Sequence, residues 1–311
     1  MAVLIFSCDH FVLPLPPEHR FPMAKYALLR QSLDGAVPEH WLTAPPAVTD
    51  AQLALAHDPA YIAQVVSGTL SARAQRRIGF PWSAELVARE RRSVGGTLAA
   101  CRAALRWGVG VNLAGGTHHA HADLGGGYCI FNDAGVALRV LQHEGRIRRG
   151  LVIDCDVHQG DGTATIFADD PTVFTLSVHG ADNYPFRKPS SDLDVALPRG
   201  TGDSVYLAHL RAALDEAFSR IQPDVVVYQS GVDPWEGDRL GTLSLTEAGM
   251  RARDRCVLSR CAAQRTPVAV TMGGGYAPAV SDIVRLHRNT VLAALEGAGD
   301  VPEPGARPQP W

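Results

Sequence analysis

The chain contains no Cys-x-x-Cys pair, no internal repeat and no excess of basic residues. No segment approaches the roughly 20 consecutive apolar residues that a membrane-spanning helix requires. Each absence removes a class. The six cysteines (Cys8, Cys101, Cys129, Cys155, Cys256 and Cys261) stand singly, in apolar runs such as LVIDCDV and GYCIF, which excludes a disulfide frame and points to a reducing compartment. Lys and Arg total 29 against 32 Asp and Glu, a formal charge of −3, so a nucleic-acid-coating protein is excluded for want of a basic excess. The opening MAVLIFSCDHFVLPLPP lacks a basic segment, and Cys8-Asp9-His10 interrupts its apolar run, so it reads as a first strand and not as a leader. A cytoplasmic protein with neither nucleic acid nor membrane as partner is the expectation.

What is present suits a folded enzyme-sized domain. At 311 residues, 46% hydrophobic and 20% charged, the chain can bury about three quarters of its unfolded surface. Short β-branched runs alternate with longer helical patterns. Strands are expected at Ala2–Cys8, Val109–Ala114, Leu151–Asp156, Thr172–Val178, Asp224–Ser230 and Pro267–Met272. Helices are expected at Met23–Leu33, Ser83–Trp107, Asp133–Glu144, Asp203–Arg220, Thr246–Ala263 and Ala279–Leu295. The nearly all-apolar DVVVYQS implies a strand covered on both faces, and the alternation implies an α/β fold: one parallel β-sheet flanked by helices on both faces, over residues 1–296 as a single domain. The proline-rich segment 297–311 reads as a flexible extension.

In open α/β sheets, ligands bind beyond the carboxyl ends of the strands. Four such ends are rich in polar chemistry: Gly115-Gly116-Thr117-His118-His119, Asp154-Cys155-Asp156-Val157-His158-Gln159-Gly160-Asp161, Ser230-Gly231-Val232-Asp233 and Gly273-Gly274-Gly275-Tyr276. The spacing Asp154-x-Asp156-x-His158 would, on extended backbone, put three polar side chains on one face. That is half of a divalent-metal site, or else a structural Asp/His cluster. Asp233 is the candidate third ligand, although an Asp before Pro234 also suits a plain turn. An Asp/His/Asp set leaves a coordination position open for water and substrate, as in catalytic zinc sites, and its two oxygen donors make Fe(II) an acceptable substitute. His118 and His119 lie in a glycine-led loop that can turn both rings inward, and Asp154 and Asp161 can each hold a ring nitrogen. His121 and His179 read as bystanders. The glycines before Tyr276 and Tyr128 permit close backbone approach, with Tyr276 as a positioned hydroxyl or a core residue and Tyr128 as an aromatic wall.

These residues resemble the metal-dependent histone deacetylase family, on the arginase/deacetylase fold. The stretches that carry the likeness are GGTHHA, GGGYCIFND, IDCDVHQGDGT, SGVDPWEGDRLG and MGGGY, in the family's order and across most of the chain. EGDRLG, Asn183-Tyr184-Pro185-Phe186 and Arg20-Phe21-Pro22-Met23 look most like bacterial relatives of the class IV branch. The resemblance implies Asp156, His158 and Asp233 as Zn2+ ligands. It makes His118 and His119 the general base and acid, with Asp154 and Asp161 as their partners, and Tyr276 the donor to the oxyanion. It further implies a tunnel lined by Gly127, Tyr128 and Gly274, and a K+ site at Asp154, Asp156, His158 and Ser177. Tyr128 departs from the family's usual phenylalanine. Two-manganese relatives carry further carboxylates where this chain has Gly160 and Gly231, so one metal is expected.

The implied reaction is hydrolysis of an acyl-lysine amide in a protein or peptide, with one ring of the pair, His118 first, taking the water's proton; which of His118 and His119 is base and which acid stays open. Longer acyl chains and small acylated amines such as acetylated polyamines fit the same chemistry. Two rivals differ in kind. A dinucleotide-binding oxidoreductase fails because the third glycine position after Gly160-Asp161-Gly162 is Thr165. A non-catalytic acyl-lysine-binding module is opposed by the presence of every residue the chemistry needs.

Overall fold

The computed structural model describes residues 4–16 and 18–296. The extension expected at 297–311 and the start of the first expected strand lie outside those residues. The chain begins β1 (Leu4–Phe6), α1 (Lys25–Ser32), β2 (Leu42–Thr43), and continues through α2 (Asp50–Leu53), α3 (Pro59–Ser67) and α4 (Ala72–Ile78). The long α5 (Ala84–Trp107) leads into β3 (Val109–Asn112), followed by α6 (Asp133–His143), β4 (Gly150–Asp154), α7 (Asp161–Ile166), β5 (Val173–Gly180) and β6 (Leu193–Leu197). The last third runs α8 (Asp203–Arg220), β7 (Val225–Gln229), α9 (Glu247–Ala263), β8 (Val268–Thr271) and α10 (Val280–Glu296).

All eight strands pair in parallel in one sheet, in the order β2-β1-β3-β8-β7-β4-β5-β6. The period-2 alternation of a strand sends Leu151 and Ile153 to one face and Val152 to the other. The first face belongs to a buried cluster that includes Leu29, Leu210, Val257 and Ile283 from α1, α8, α9 and α10. The second belongs to one that includes Ile62, Leu98 and Leu138 from α3, α5 and α6. The α/β architecture expected from the sequence is therefore the one observed, with helices on both faces. Among the described residues, no helix is long and apolar enough to cross a membrane.

The strand order explains the site. β3, β8, β7 and β4 are consecutive neighbours, so the four polar segments beyond their ends emerge side by side. Beneath that edge lies Arg253 of α9, wholly buried. Its guanidinium donates to the carbonyls of Cys155, just past β4, and Gly231, just past β7, and to Asp254 Oδ1 at 2.8 Å. Asp254 also accepts from the Tyr228 and Thr290 hydroxyls, both at 2.6 Å. Removing one partner of such a pair strands the other charge in the interior, at about 3–5 kcal/mol. Arg253→Met is accordingly expected to lower the unfolding free energy by that amount in urea titration; a loss within about 0.5 kcal/mol, as at an ordinary surface site, would contradict it.

Candidate active site

β4 ends at Asp154, two residues earlier than its expected end, so the extended Asp154-x-Asp156-x-His158 face does not form. Asp154 Oδ1 instead accepts the Asp156 N–H at 3.0 Å and turns the chain, while Oδ2 meets His118 Nδ1 at 2.6 Å. Asp156 and His158 consequently face Asp233 across the gap between β4 and β7. His158 Nδ1 lies 2.9 Å from Asp156 Oδ1 and 3.3 Å from Asp233 Oδ2. One ligand atom from each of the three residues falls within 4.8 Å of the others.

The donor set fits a divalent ion. Bonds of about 2.0–2.2 Å at tetrahedral angles separate neighbouring donors by about 3.3 Å, the scale of these contacts. Asp233 Oδ1 is satisfied by the Val157 N–H at 2.9 Å, but the buried Oδ2 lacks a well-formed hydrogen bond. His158 Nδ1 is already directed at Asp156, so one proton cannot serve both carboxylates. A buried carboxylate oxygen left in this way is costly, and a cation answers that cost. Charge crowding shifts the groups from their ordinary values. Burial and the adjacent Asp156 push Asp233 up to about 6, against the pull of His158. For His158, burial is outweighed by its bond to Asp156 and the nearby Asp233 carboxylate, which lift it to about 10.

Both catalytic-type histidines are turned inward and held. His118 Nδ1 binds Asp154, and His119 Nδ1 binds Asp161 Oδ1 at 2.6 Å, with the two rings 4.1 Å apart. Their environments differ. Burial lowers His118, but Asp154 and Asp156 outweigh it and raise the ring to about 9. For His119, burial and the neighbouring His118 prevail over Asp161 and lower it to about 4. His121, which does not line the cavity of the other two rings, reaches Asp161 Oδ2 through Nε2 at 3.2 Å and meets Thr165 Oγ1 through Nδ1 at 2.7 Å. His179 Nδ1 lies 2.9 Å from Ser177 Oγ. Ser177 itself sits opposite Asp154 in the β4–β5 register, which makes neighbours of two of the four residues assigned to the cation site.

Tyr276 closes the opposite side of the same cavity, of about 200 Å³, which His118, His119, Asp156, His158 and Asp233 also line. Burial, with Asp233 and Asp156 nearby, raises its phenol far above the ordinary range, so it stays protonated. Gly127, Tyr128 and Gly274 line the cavity as expected. A Cβ on Gly127 would stand 2.7 Å from the His119 ring, and one on Gly274 2.2 Å from Asp233 Oδ2. Phe21 and Phe80 join Tyr128 in an aromatic wall, with ring centroids 5.2 Å from it, and Tyr184 stands 4.9 Å from the ring of His119.

Sequence reasoning misses Lys25. Buried at the base of the cavity, it donates to the Gly274 carbonyl at 2.5 Å and lies 5.7 Å from the Tyr276 ring. Burial lowers it to about 8, although Asp233 and Asp156 oppose the shift. A signal exists: Lys25 and Lys188 are the only lysines in the chain, against 27 arginines. Arg89 and Glu90, a buried pair from α5 that also lines the cavity, are missed too.

With this geometry in place, comparison with known proteins is specific. A family model described as the histone deacetylase domain matches residues 17–291. An uncharacterized protein of Picosynechococcus sp. is 48% identical over 279 residues, 89% of this chain and 93% of that protein. Histone deacetylase 2 of Arabidopsis thaliana is 29% identical over 289 residues, 87% of this chain and 73% of its own length. The crystal structure of a histone deacetylase homolog complexed with SAHA superposes with a TM-score of 0.82 at 25% identity, covering 97% of this chain and 85% of that one.

Proposed function

From the premise that this chain belongs to the histone deacetylase family, we propose that it is a metal-dependent amidohydrolase that removes an acyl group, acetyl first among them, from the side chain of lysine in proteins or peptides. One observation carries the reading. Three ligand atoms, two carboxylate-held histidines and a protonated tyrosine surround a single cavity. Asp156, His158 and Asp233 would hold Zn(II), or Fe(II) in its place. Such an ion supplies Lewis acidity toward the amide carbonyl and makes water acidic enough to attack near neutral pH.

The remaining work falls to this chain's own groups. A general base must be unprotonated at the working pH, and between the two rings that condition favours His119. His118, raised by Asp154, keeps its proton and offers positive charge or a proton to the leaving amine. The sequence leaves open which ring is base and which is acid, with His118 its first choice for the base. Asp161 fixes the His119 tautomer, leaving Nε2 free toward the cavity. Tyr276 donates to the oxygen on which negative charge grows. Tyr128, Phe80 and Phe21 exclude water around the aliphatic stem of the lysine.

A fluorogenic acyl-lysine peptide, assayed with and without chelator and with metal restored, tests the reading. Cleavage that survives complete removal of metal would sink it. A series of increasing acyl length, beside acetylspermidine, separates the short-chain reading from long-chain and polyamine substrates. Asp233→Ala is expected to drop bound metal from one equivalent to well below half and to abolish turnover, because it deletes the buried oxygen that has no other partner. One equivalent retained, measured by elemental analysis after gel filtration, would strike Asp233 from the ligand set.

A further inference from the structure

Tyr276 is carried on a segment with little to hold it. Gly274 (φ +59°) and Gly275 (φ +86°) precede it in left-handed conformations, beyond the end of β8 and outside any ladder. The Gly273 carbonyl is held by the Val232 N–H at 3.1 Å, and the Gly274 carbonyl by Lys25. The backbone N–H of Tyr276 itself has a different partner, Asp238 Oδ2 at 2.6 Å. The other oxygen of that carboxylate accepts from the Leu240 and Gly241 N–H groups at 2.8 and 3.0 Å. The turn so formed is pressed against the segment that bears Asp233: a Cβ on Gly241 would sit 1.9 Å from the Asp233 carbonyl oxygen.

The geometry points to Asp238 as the positioning residue for Tyr276, a tether that fixes the phenol relative to the ligand Asp233. The inference rests on the hydrolase reading above and adds to it a residue that touches neither metal nor substrate. Physically, a charged acceptor makes a short, strong bond to a backbone N–H. Here one carboxylate joins two loops, of which the one that carries Asp238 is otherwise tied back by the Trp235–Leu245 bridge. Without the carboxylate, a diglycine hinge lets the tyrosine wander, and a displacement of about 1 Å at a reacting group can cost on the order of 100-fold in rate. The isosteric Asp238→Asn cannot replace it. If the amide oxygen faces Leu240 and Gly241, its NH2 confronts the Tyr276 N–H, donor against donor.

The test is a double-mutant cycle on the metal-loaded enzyme with an acetyl-lysine peptide. D238N is expected to lower kcat by about 10- to 100-fold, with KM within about threefold and metal stoichiometry unchanged. In a Tyr276→Phe background the same change is expected to cost less than about threefold, because the group it positions has lost its hydroxyl. Equal factors in both backgrounds would overturn the inference while leaving the hydrolase reading intact. Wild-type turnover in Tyr276→Phe alone would instead defeat the role of Tyr276. Amide exchange supplies a readout independent of turnover. The Tyr276 N–H is expected to be protected in the wild type and to exchange at least tenfold faster in D238N. An unprotected Tyr276 amide in the wild type would overturn the tether, even if the variant failed to fold.

Discussion

Tyr276→Phe is expected to lower kcat by about 10²- to 10³-fold while metal content and substrate affinity stay near wild type, the usual penalty for losing one oxyanion donor. The substitution removes a hydroxyl and nothing else. The ring keeps its edge contact with Phe21 at 6.4 Å and its place beside Tyr128 at 6.1 Å, so the cavity wall survives. Lys25, which lies over the same ring, loses no hydrogen bond, because its partner is the Gly274 carbonyl. Burial, with Asp233 and Asp156 nearby, raises the phenol, so it keeps its proton at neutral pH. The loss should fall on kcat, since the bond strengthens only as charge develops on the carbonyl oxygen. Steady-state kinetics with an acetyl-lysine peptide, beside metal analysis, checks this. Unchanged kcat would remove Tyr276 from the reaction.

Much of this site is legible without coordinates because α/β sheets collect chemistry at strand ends. The buried runs VGVN, GLVID, VVVYQ and VAVT each become a strand, within two residues of the expected bounds. The polar residues just beyond each run are therefore placed at one edge. The limit is geometry past the strand. Spacing alone groups Asp154 with Asp156 and His158, yet its side chain caps the turn and faces His118. A two-residue strand such as Leu42–Thr43 has no periodicity to detect, and Leu193–Leu197 at the opposite edge is half exposed, with Asp194 as its second residue. Lys25, Asp238 and Arg253 escape for another reason. Their roles depend on tertiary neighbours far along the chain, the carbonyls of Gly274, Cys155 and Gly231 and the amide of Tyr276. No local pattern encodes such partners.

The histidine pair yields a prediction in pH. Activity by the proposed route needs His119 neutral and His118 protonated, so kcat/KM should fall as pH drops through the His119 pKa and fall again as pH rises through that of His118. The low value of His119 arises from burial and from the charge on His118. Removing that charge with His118→Asn should raise the His119 pKa and move the acid limb to higher pH, while the basic limb disappears. Removing the base with His119→Asn should cost about 10²–10⁴ in kcat/KM across the whole range, the span typical of general base catalysis. The basic limb in the wild type should lie below the value of about 9 that His118 reaches with both Asp154 and Asp156 facing it, since part of the Asp156 charge goes to a bound cation. The two variants thus differ in shape as well as size: His118→Asn lowers the rate and displaces its acid limb to higher pH, whereas His119→Asn depresses the rate throughout. If His118→Asn were the uniformly depressed one and His119→Asn the displaced one, base and charge-bearing partner would exchange places, and Asp154, not Asp161, would be the carboxylate that orients the base.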